Sequence, residues 1–396
     1  MSVTMNFEFI TPNKIIFGPG RFNEVGALTA GRGKMTLVVS GKGALKSSGL
    51  LDRLEGILKE TGVATVHFSV PAEPTVETID SGVALAKDSK CDLVIGIGGG
   101  SAMDSAKAIA GMMRNDGTLL DHLEVVGKGL PLKSPAAPLM VIPTTAGTGT
   151  EATSNAVIKV PESNVKVSLR STFLLPKIAL IDPELTYALP PDVTASTGMD
   201  ALTQLIESYT CKRASPVTDA LAMDGILRAS RSLQLAYVNG KDASARYDMS
   251  LAALMSGITL ANAGLGAVHG IAAPLGGVAP VPHGVACARL LPFVMEANVK
   301  ALKIQDPNGL ALQKYAMIGQ IILGRSLKDV GLDIQAGVEY IHGLAKRLKI
   351  KPLSDFGLTR EMIPGIADKA LNASSMKANP VMLSKDEIVA IIEATL

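Results

Sequence analysis

Four short apolar runs mark the first half of the chain, at about 35–40, 64–70, 93–97 and 139–142. They alternate with stretches near 46–60, 75–88 and 101–113 whose apolar residues recur at helical spacing. Continuous apolar runs of this length predict strands buried on both faces, and their alternation with helices predicts βαβ units and a parallel sheet. Pieces at 155–160, 166–170 and 178–181 read as further strands of this half, and residues 1–20 read as early strands. Pro190 and Pro191 then break the pattern, and beyond Asp192 long helical patterns dominate, including 217–235 and 242–262. The chain therefore reads as an α/β N-terminal domain with a parallel sheet, residues 1–188, followed by an all-α C-terminal domain, residues 189–396.

Composition narrows the class without singling out an activity. At 396 residues and 47% hydrophobic content the chain can bury a large core and divide into two domains. A net charge of +2 with no cluster of Lys and Arg argues against a nucleic-acid surface. Apolar segments such as 251–278 are interrupted by Gly, Asn, His and Pro, which argues against a membrane span. No basic-plus-apolar leader opens the sequence, so a cytoplasmic location is expected. Cys91, Cys211 and Cys287 are widely spaced and form no CxxC, so buried, reduced thiols are expected.

Chemistry enters at three places. Residues 91–110, CDLVIGIGGGSAMDSAKAIA, read as strand, glycine turn and helix around Gly98, Gly99, Gly100 and Ser101. Glycines let the backbone approach a phosphate, and a helix start offers it unpaired N–H groups and a positive dipole end. The turn lacks the G-x-G-x-x-G form of the ordinary dinucleotide fingerprint. Asp104 and Lys107 on the following helix read as solvated or capping residues. A second loop, PTTAGTGTE at 143–151, sets Thr144, Thr145 and Thr148 at a strand's carboxyl end, where open α/β sheets bind ligands; an ordinary Thr/Gly turn is the alternative. Third, His269 and His283 stand fourteen positions apart in a Gly/Pro-punctuated stretch, downstream of Asp200 on a helical pattern. Two imidazoles and a carboxylate are usual ligands for zinc or ferrous iron; satisfied core histidines are the alternative.

With these motifs in order, the chain resembles the iron-containing, group III alcohol dehydrogenases. The resemblance runs nearly end to end: GPG at 18–20, EPT at 73–75, GGGSAMDSAK at 98–107, PTTAGTGTEAT at 143–153, IDPEL at 181–185, GMDAL at 198–202, NAGLGAVHG at 262–270, PHGVA at 282–286 and LLP at 290–292. It implies a nucleotide-binding α/β domain and a helical metal-binding domain, a dehydroquinate synthase-like architecture. It also implies hydride exchange between NAD or NADP and a small alcohol or aldehyde, and a homodimer. By motif it implies Gly99, Gly100 and Ser101 at the pyrophosphate, Thr144, Thr145 and Thr148 lining the nucleotide, and Asn155 and Lys166 nearer the ribose and nicotinamide.

The departures matter as much. The family's metal set, an Asp, a His one helical turn later and two further His, becomes Asp200, Gln204, His269 and His283, with Fe2+ expected first and Zn2+ second. Asp200 and Gln204 share a helix face, but a Gln carbonyl is a neutral and usually weaker ligand, so a polar lining role stands beside ligation. A further family histidine, four residues after His269, is replaced by Ala273, which cannot titrate. Phe293 stands where relatives commonly carry His, so a drier pocket shaped by Phe293, Ala273 and Pro280 is expected. Where NAD-preferring members often place an acidic residue, this chain has Gly41 followed by Lys42, which removes the bar to a 2′-phosphate. The expected function is a metal-dependent alcohol dehydrogenase or aldehyde reductase in which the ion, as a Lewis acid, binds the substrate oxygen. The alternatives are a metal-independent reductase resembling maleylacetate reductase and a non-catalytic nucleotide-binding relative.

Overall fold

The computed structural model describes residues 6–71, 73–163 and 165–396. It comprises two compact units. One is formed by Thr11–Thr145 and Gly149–Thr186; the other is Tyr187–Leu396 with Ala146–Thr148 and the described residues up to Ile10.

The α/β unit contains strands β1 (Lys14–Phe17), β2 (Met35–Gly41), β3 (Ala64–Val70), β4 (Leu93–Gly98), β5 (Leu139–Pro143), β6 (Asn155–Val160), β7 (Val165–Arg170) and β8 (Ile178–Ile181). Six of them form a parallel sheet in the order β1-β8-β5-β4-β2-β3, and β6 and β7 form a separate antiparallel hairpin. The unbroken apolar runs take the central places: Leu37, Val38, Val39, Val94, Ile95, Ile97, Val141 and Ile142 are fully buried. Each such side chain contributes about 1.5–3 kcal/mol by leaving water. Edge strand β3 is mostly accessible instead. From β2 the chain turns one way to β3 and the other way to β4, so the strand order reverses between β2 and β4, where open α/β sheets form their ligand crevice.

Helix α1 (Gly100–Met112) follows β4, and every residue from Ala102 to Met112 is buried. A helix enclosed on all sides has no solvated face. Asp104 and Lys107 are therefore interior residues, against the expectation of solvent or capping positions. The Lys107 ammonium donates all three of its protons, to the Thr153 carbonyl at 2.8 Å, Thr153 Oγ1 at 2.7 Å and the Asn155 carbonyl at 3.1 Å. Burial pushes Asp104 up to about 6 and Glu151 up to about 7, and brings Lys107 down to about 8, with the opposite charges partly offsetting it.

In the helical unit, α2 (Pro191–Thr210) begins with a proline at its first position, where the missing N–H costs nothing. It packs against α3 (Pro216–Val238) and α4 (Ala243–Asn262) through Leu202, Leu205, Leu233 and Met249. The apolar run after α4 is bent: α4 and α5 (Ala267–Val278) meet at 94°, and no single helix among the described residues is long and apolar enough to cross a membrane. Gly264 makes the bend possible. Its φ is +98°, a conformation that residues with a side chain rarely adopt, which favours glycine there. Helices α6 (His283–Gln305), α7 (Leu310–Leu323) and α8 (Val330–Arg347) follow.

Of the early strands expected over residues 1–20, the first five positions lie outside the described residues and only β1 is a strand. Asn262 accounts for the stretch before it. Its side chain accepts from the Ile10 N–H at 2.6 Å and donates to the Ile10 carbonyl at 2.8 Å, so that backbone is satisfied by a helix side chain, not by a sheet neighbour.

Candidate metal centre and nucleotide-binding loops

Asp200 lies in the middle of α2, His269 in the first turn of α5, and His283 at the first position of α6. Helix geometry turns these distant positions to one point. Asp200 Oδ1 is 3.4 Å from His269 Nε2 and 3.7 Å from His283 Nε2. Asp200 is 2% exposed, yet Oδ1 has no hydrogen-bond partner. A buried carboxylate oxygen left unpaired is costly unless a cation meets it. The donor chemistry of an Asp and two imidazoles therefore fits a divalent metal.

Two residues that the spacing analysis passed over complete the cluster. Glu207, on the face of α2 that carries Asp200, lies 2.6 Å from His269 Nδ1 and also accepts from the Val268 N–H at 2.6 Å. A carboxylate only accepts, so His269 Nδ1 carries a proton towards Glu207, and Nε2 is the nitrogen left to meet an ion beside Asp200. Cys287, one turn beyond His283 on α6, is fully buried and places Sγ 3.7 Å from His269 Nε2 and 3.6 Å from His283 Nε2. The i, i+4 spacing from His283 and the i, i+7 spacing from Asp200 were the signals that mark them.

The field in the cluster is that of a cation site. Burial alone would raise the Asp200 carboxyl, but the charges of His283 and His269 outweigh it and hold the group below the usual carboxylate range. Burial would pull the His269 imidazole down, whereas the negative charge that Cys287 and Glu207 carry when ionised lifts it well above its ordinary value. At His283 the charge of Cys287 dominates and raises the imidazole too.

Gln204 sits one turn after Asp200 but turns its oxygen elsewhere. Its Nε2 donates to Asp200 Oδ2 at 3.1 Å, the orientation an acceptor-only carboxylate requires, and its carbonyl accepts from Ser256 Oγ at 2.7 Å. Ala273, one turn beyond His269, is exposed, as is Pro280. Phe293 lies ten residues along α6 from His283, roughly 15 Å at the α-helical rise. It packs edge-on against His342 of α8, with ring centroids 5.1 Å apart, which removes it from the pocket expected around the ligands.

In the α/β unit three loops converge at the carboxyl edge of the sheet. Gly98 has φ +139°, and the Thr144 N–H donates to its carbonyl at 2.9 Å. A Cβ on Gly98 would lie 3.7 Å from the Gly41 nitrogen, and one on Gly99 would lie 3.6 Å from the Thr145 side chain. Gly41, Lys42, Gly98, Gly99, Gly100, Ser101, Thr144 and Thr145 thus gather where the strand order reverses. Gly99 precedes α1 with no side-chain cap, which leaves the amides of the first turn for a ligand. Lys42 and Ser101 are exposed. Thr148 belongs to the helical unit. Asn155 and Lys166 are not neighbours: they pair with Arg170 and Lys159, and four residues of strand, about 13 Å, separate them. The Lys166 ammonium is paired with Glu73.

Comparison with known proteins agrees with this anatomy. Residues 12–183 match the iron-containing alcohol dehydrogenase family model, and 194–396 match the model of the Fe-containing alcohol dehydrogenase C-terminal domain. Alcohol dehydrogenase 4 of Saccharomyces cerevisiae is 35% identical over 390 residues, covering 97% of both chains. The NADPH-dependent butanol dehydrogenase of Clostridium saccharobutylicum is 32% identical over 393 residues, 98% of this chain and 97% of that one. A crystal structure of 1,3-propanediol oxidoreductase superposes with a TM-score of 0.92 at 33% identity, covering 99% of this chain and 100% of the other. With both halves matched in order, the chain belongs to the iron-containing alcohol dehydrogenases, oxidoreductases of alcohols and aldehydes.

Proposed function

We propose that Asp200, His269 and His283 hold the divalent ion of this NAD(P)-linked alcohol dehydrogenase and aldehyde reductase, and that the loops at 41–42, 98–101 and 144–145 hold its dinucleotide. The observation that carries the metal assignment is the unpartnered, buried Asp200 Oδ1 facing two imidazole nitrogens. When bound, the ion supplies Lewis acidity to the substrate oxygen, and the nicotinamide gives or takes the hydride.

The remaining work falls to the chain's own residues. Glu207 fixes the His269 tautomer, and Gln204, which the sequence offered as a fourth ligand, steadies the second oxygen of Asp200. The uncapped first turn of α1 receives the pyrophosphate, with the Ser101 hydroxyl beside it. With Gly41 offering no carboxylate and Lys42 exposed beside it, either NAD or NADP is accepted. Thr148, Asn155 and Lys166 are assigned to the nucleotide by motif. Ala273 cannot carry a proton, so the substrate hydroxyl proton goes to water, a ribose hydroxyl or another side chain. Small side chains at Ala273 and Pro280 favour a short apolar alcohol or aldehyde. A net charge of +2 argues against a nucleic-acid partner, and a cytoplasmic homodimer without a membrane partner completes the reading.

The test is metal analysis of enzyme purified without oxygen, followed by NADH and NADPH oxidation with a panel of short aldehydes. One ion per chain with aldehyde-dependent oxidation is expected. Undiminished turnover after complete chelation, or nucleotide binding without turnover, overturns the proposal.

A further inference from the structure

Gln204 turns its amide nitrogen to Asp200 and its carbonyl to Ser256, which leaves the metal set one protein ligand short. A different donor faces the same point. Cys287 Sγ is fully buried, and Asp200, His269, His283 and Cys287 each offer one ligand atom within 4.8 Å of all the others. Four of the six separations lie close to the edges of a tetrahedron, and the other two are within 4.8 Å. An ion with nitrogen and oxygen at about 2.0–2.1 Å and sulfur at about 2.3 Å has N···S edges of about 3.6 Å and N···O edges of about 3.3 Å. Here the N···S distances are 3.7 and 3.6 Å, and the N···O distances are 3.4 and 3.7 Å. The unpaired Asp200 Oδ1 is the independent sign that an ion belongs at the centre.

We infer that Cys287 Sγ is a ligand of the metal, closing an Asp–His–His–Cys set in which a thiolate takes the place left by Gln204. The inference rests on the reading of Asp200, His269 and His283 as metal ligands. On binding, the S–H bond gives its proton to solvent and the sulfur lone pair goes to the ion, so uptake releases a proton. A thiolate is softer than imidazole or carboxylate, and it shifts the site's preference towards Zn2+ over Fe2+ relative to an all-N/O set.

The test is X-ray absorption of the zinc-loaded full-length enzyme together with the near-ultraviolet spectrum of its cobalt-loaded form. A sulfur scatterer at about 2.3 Å is expected, with a thiolate-to-cobalt charge-transfer band. Both vanish in Cys287→Ser, whose ratio of Zn2+ to Fe2+ affinity falls about tenfold or more. A bound ion with only nitrogen and oxygen neighbours overturns the inference and leaves the other three ligands standing. Failure to take up any ion overturns both. Should the serine variant not fold, the wild-type spectra decide alone.

Discussion

Each unit buries a cluster of ionisable side chains, and the two clusters are finished differently. In the α/β unit, Lys107 spends all three of its protons on Thr153 and Asn155, with Asp104 and Glu151 supplying countercharge. In the helical unit, Asp200 Oδ1 is left without a partner while two imidazole nitrogens and a sulfur face inward. Burial and shifted titration are common to both, so neither property separates a structural cluster from a functional one. What separates them is whether the protein's own atoms use up every donor and acceptor.

The comparison can be broken most forcefully at Lys107. Lys107→Met strands the carbonyls of Thr153 and Asn155 and removes the charge beside Asp104, so the α/β unit should lose about 3–5 kcal/mol. Chemical denaturation reads that loss, and metal uptake should be unchanged; reduced metal uptake in the folded variant would tie the two clusters together. Glu207→Gln should do the reverse. Its carbonyl still accepts from the Val268 N–H, but its amide faces His269 Nδ1 and drives the ring proton onto Nε2, against the ion. Metal affinity should fall about 10–100-fold with little change in melting temperature, as competition with a chelator would show. The last effect concerns pH. Glu151 has a folded-state value near 7 against an ordinary 4.5, so its proton is held in the folded state after the unfolded chain has released it. Stability should therefore drop by up to about 3 kcal/mol as pH rises from 4.5 to 7, and Glu151→Gln should flatten that slope in denaturant melts.

The same contrast explains what the sequence reveals. Strands β2, β4 and β5 are legible because runs such as Leu93–Gly98 have no polar position to interrupt burial, and Asp200, His269 and His283 because histidine is scarce and the three carry metal-binding donors. Cys287 is hidden because a single cysteine in an apolar helix looks like any core thiol until its distance to His283 is known. Glu207 is hidden because an acid on a helix usually faces water. Lys107 misleads for the same reason, although SAMDSAKAIAGMM holds so many small residues around it that full enclosure was the better expectation. The Ile10 backbone is held by Asn262, a partner some 250 positions away that no local pattern announces.

One asymmetry of the ligand cluster carries a kinetic consequence. Asp200, His269 and Cys287 are sealed in the interior, whereas 41% of the His283 side chain is open to solvent. If these residues hold the proposed ion, ligand exchange is expected to begin at that imidazole, the one donor of the set that solvent reaches. In the proposed site, residence time of the metal would then be governed by one doorkeeper on the rim, and depth of the well beneath it by the other three.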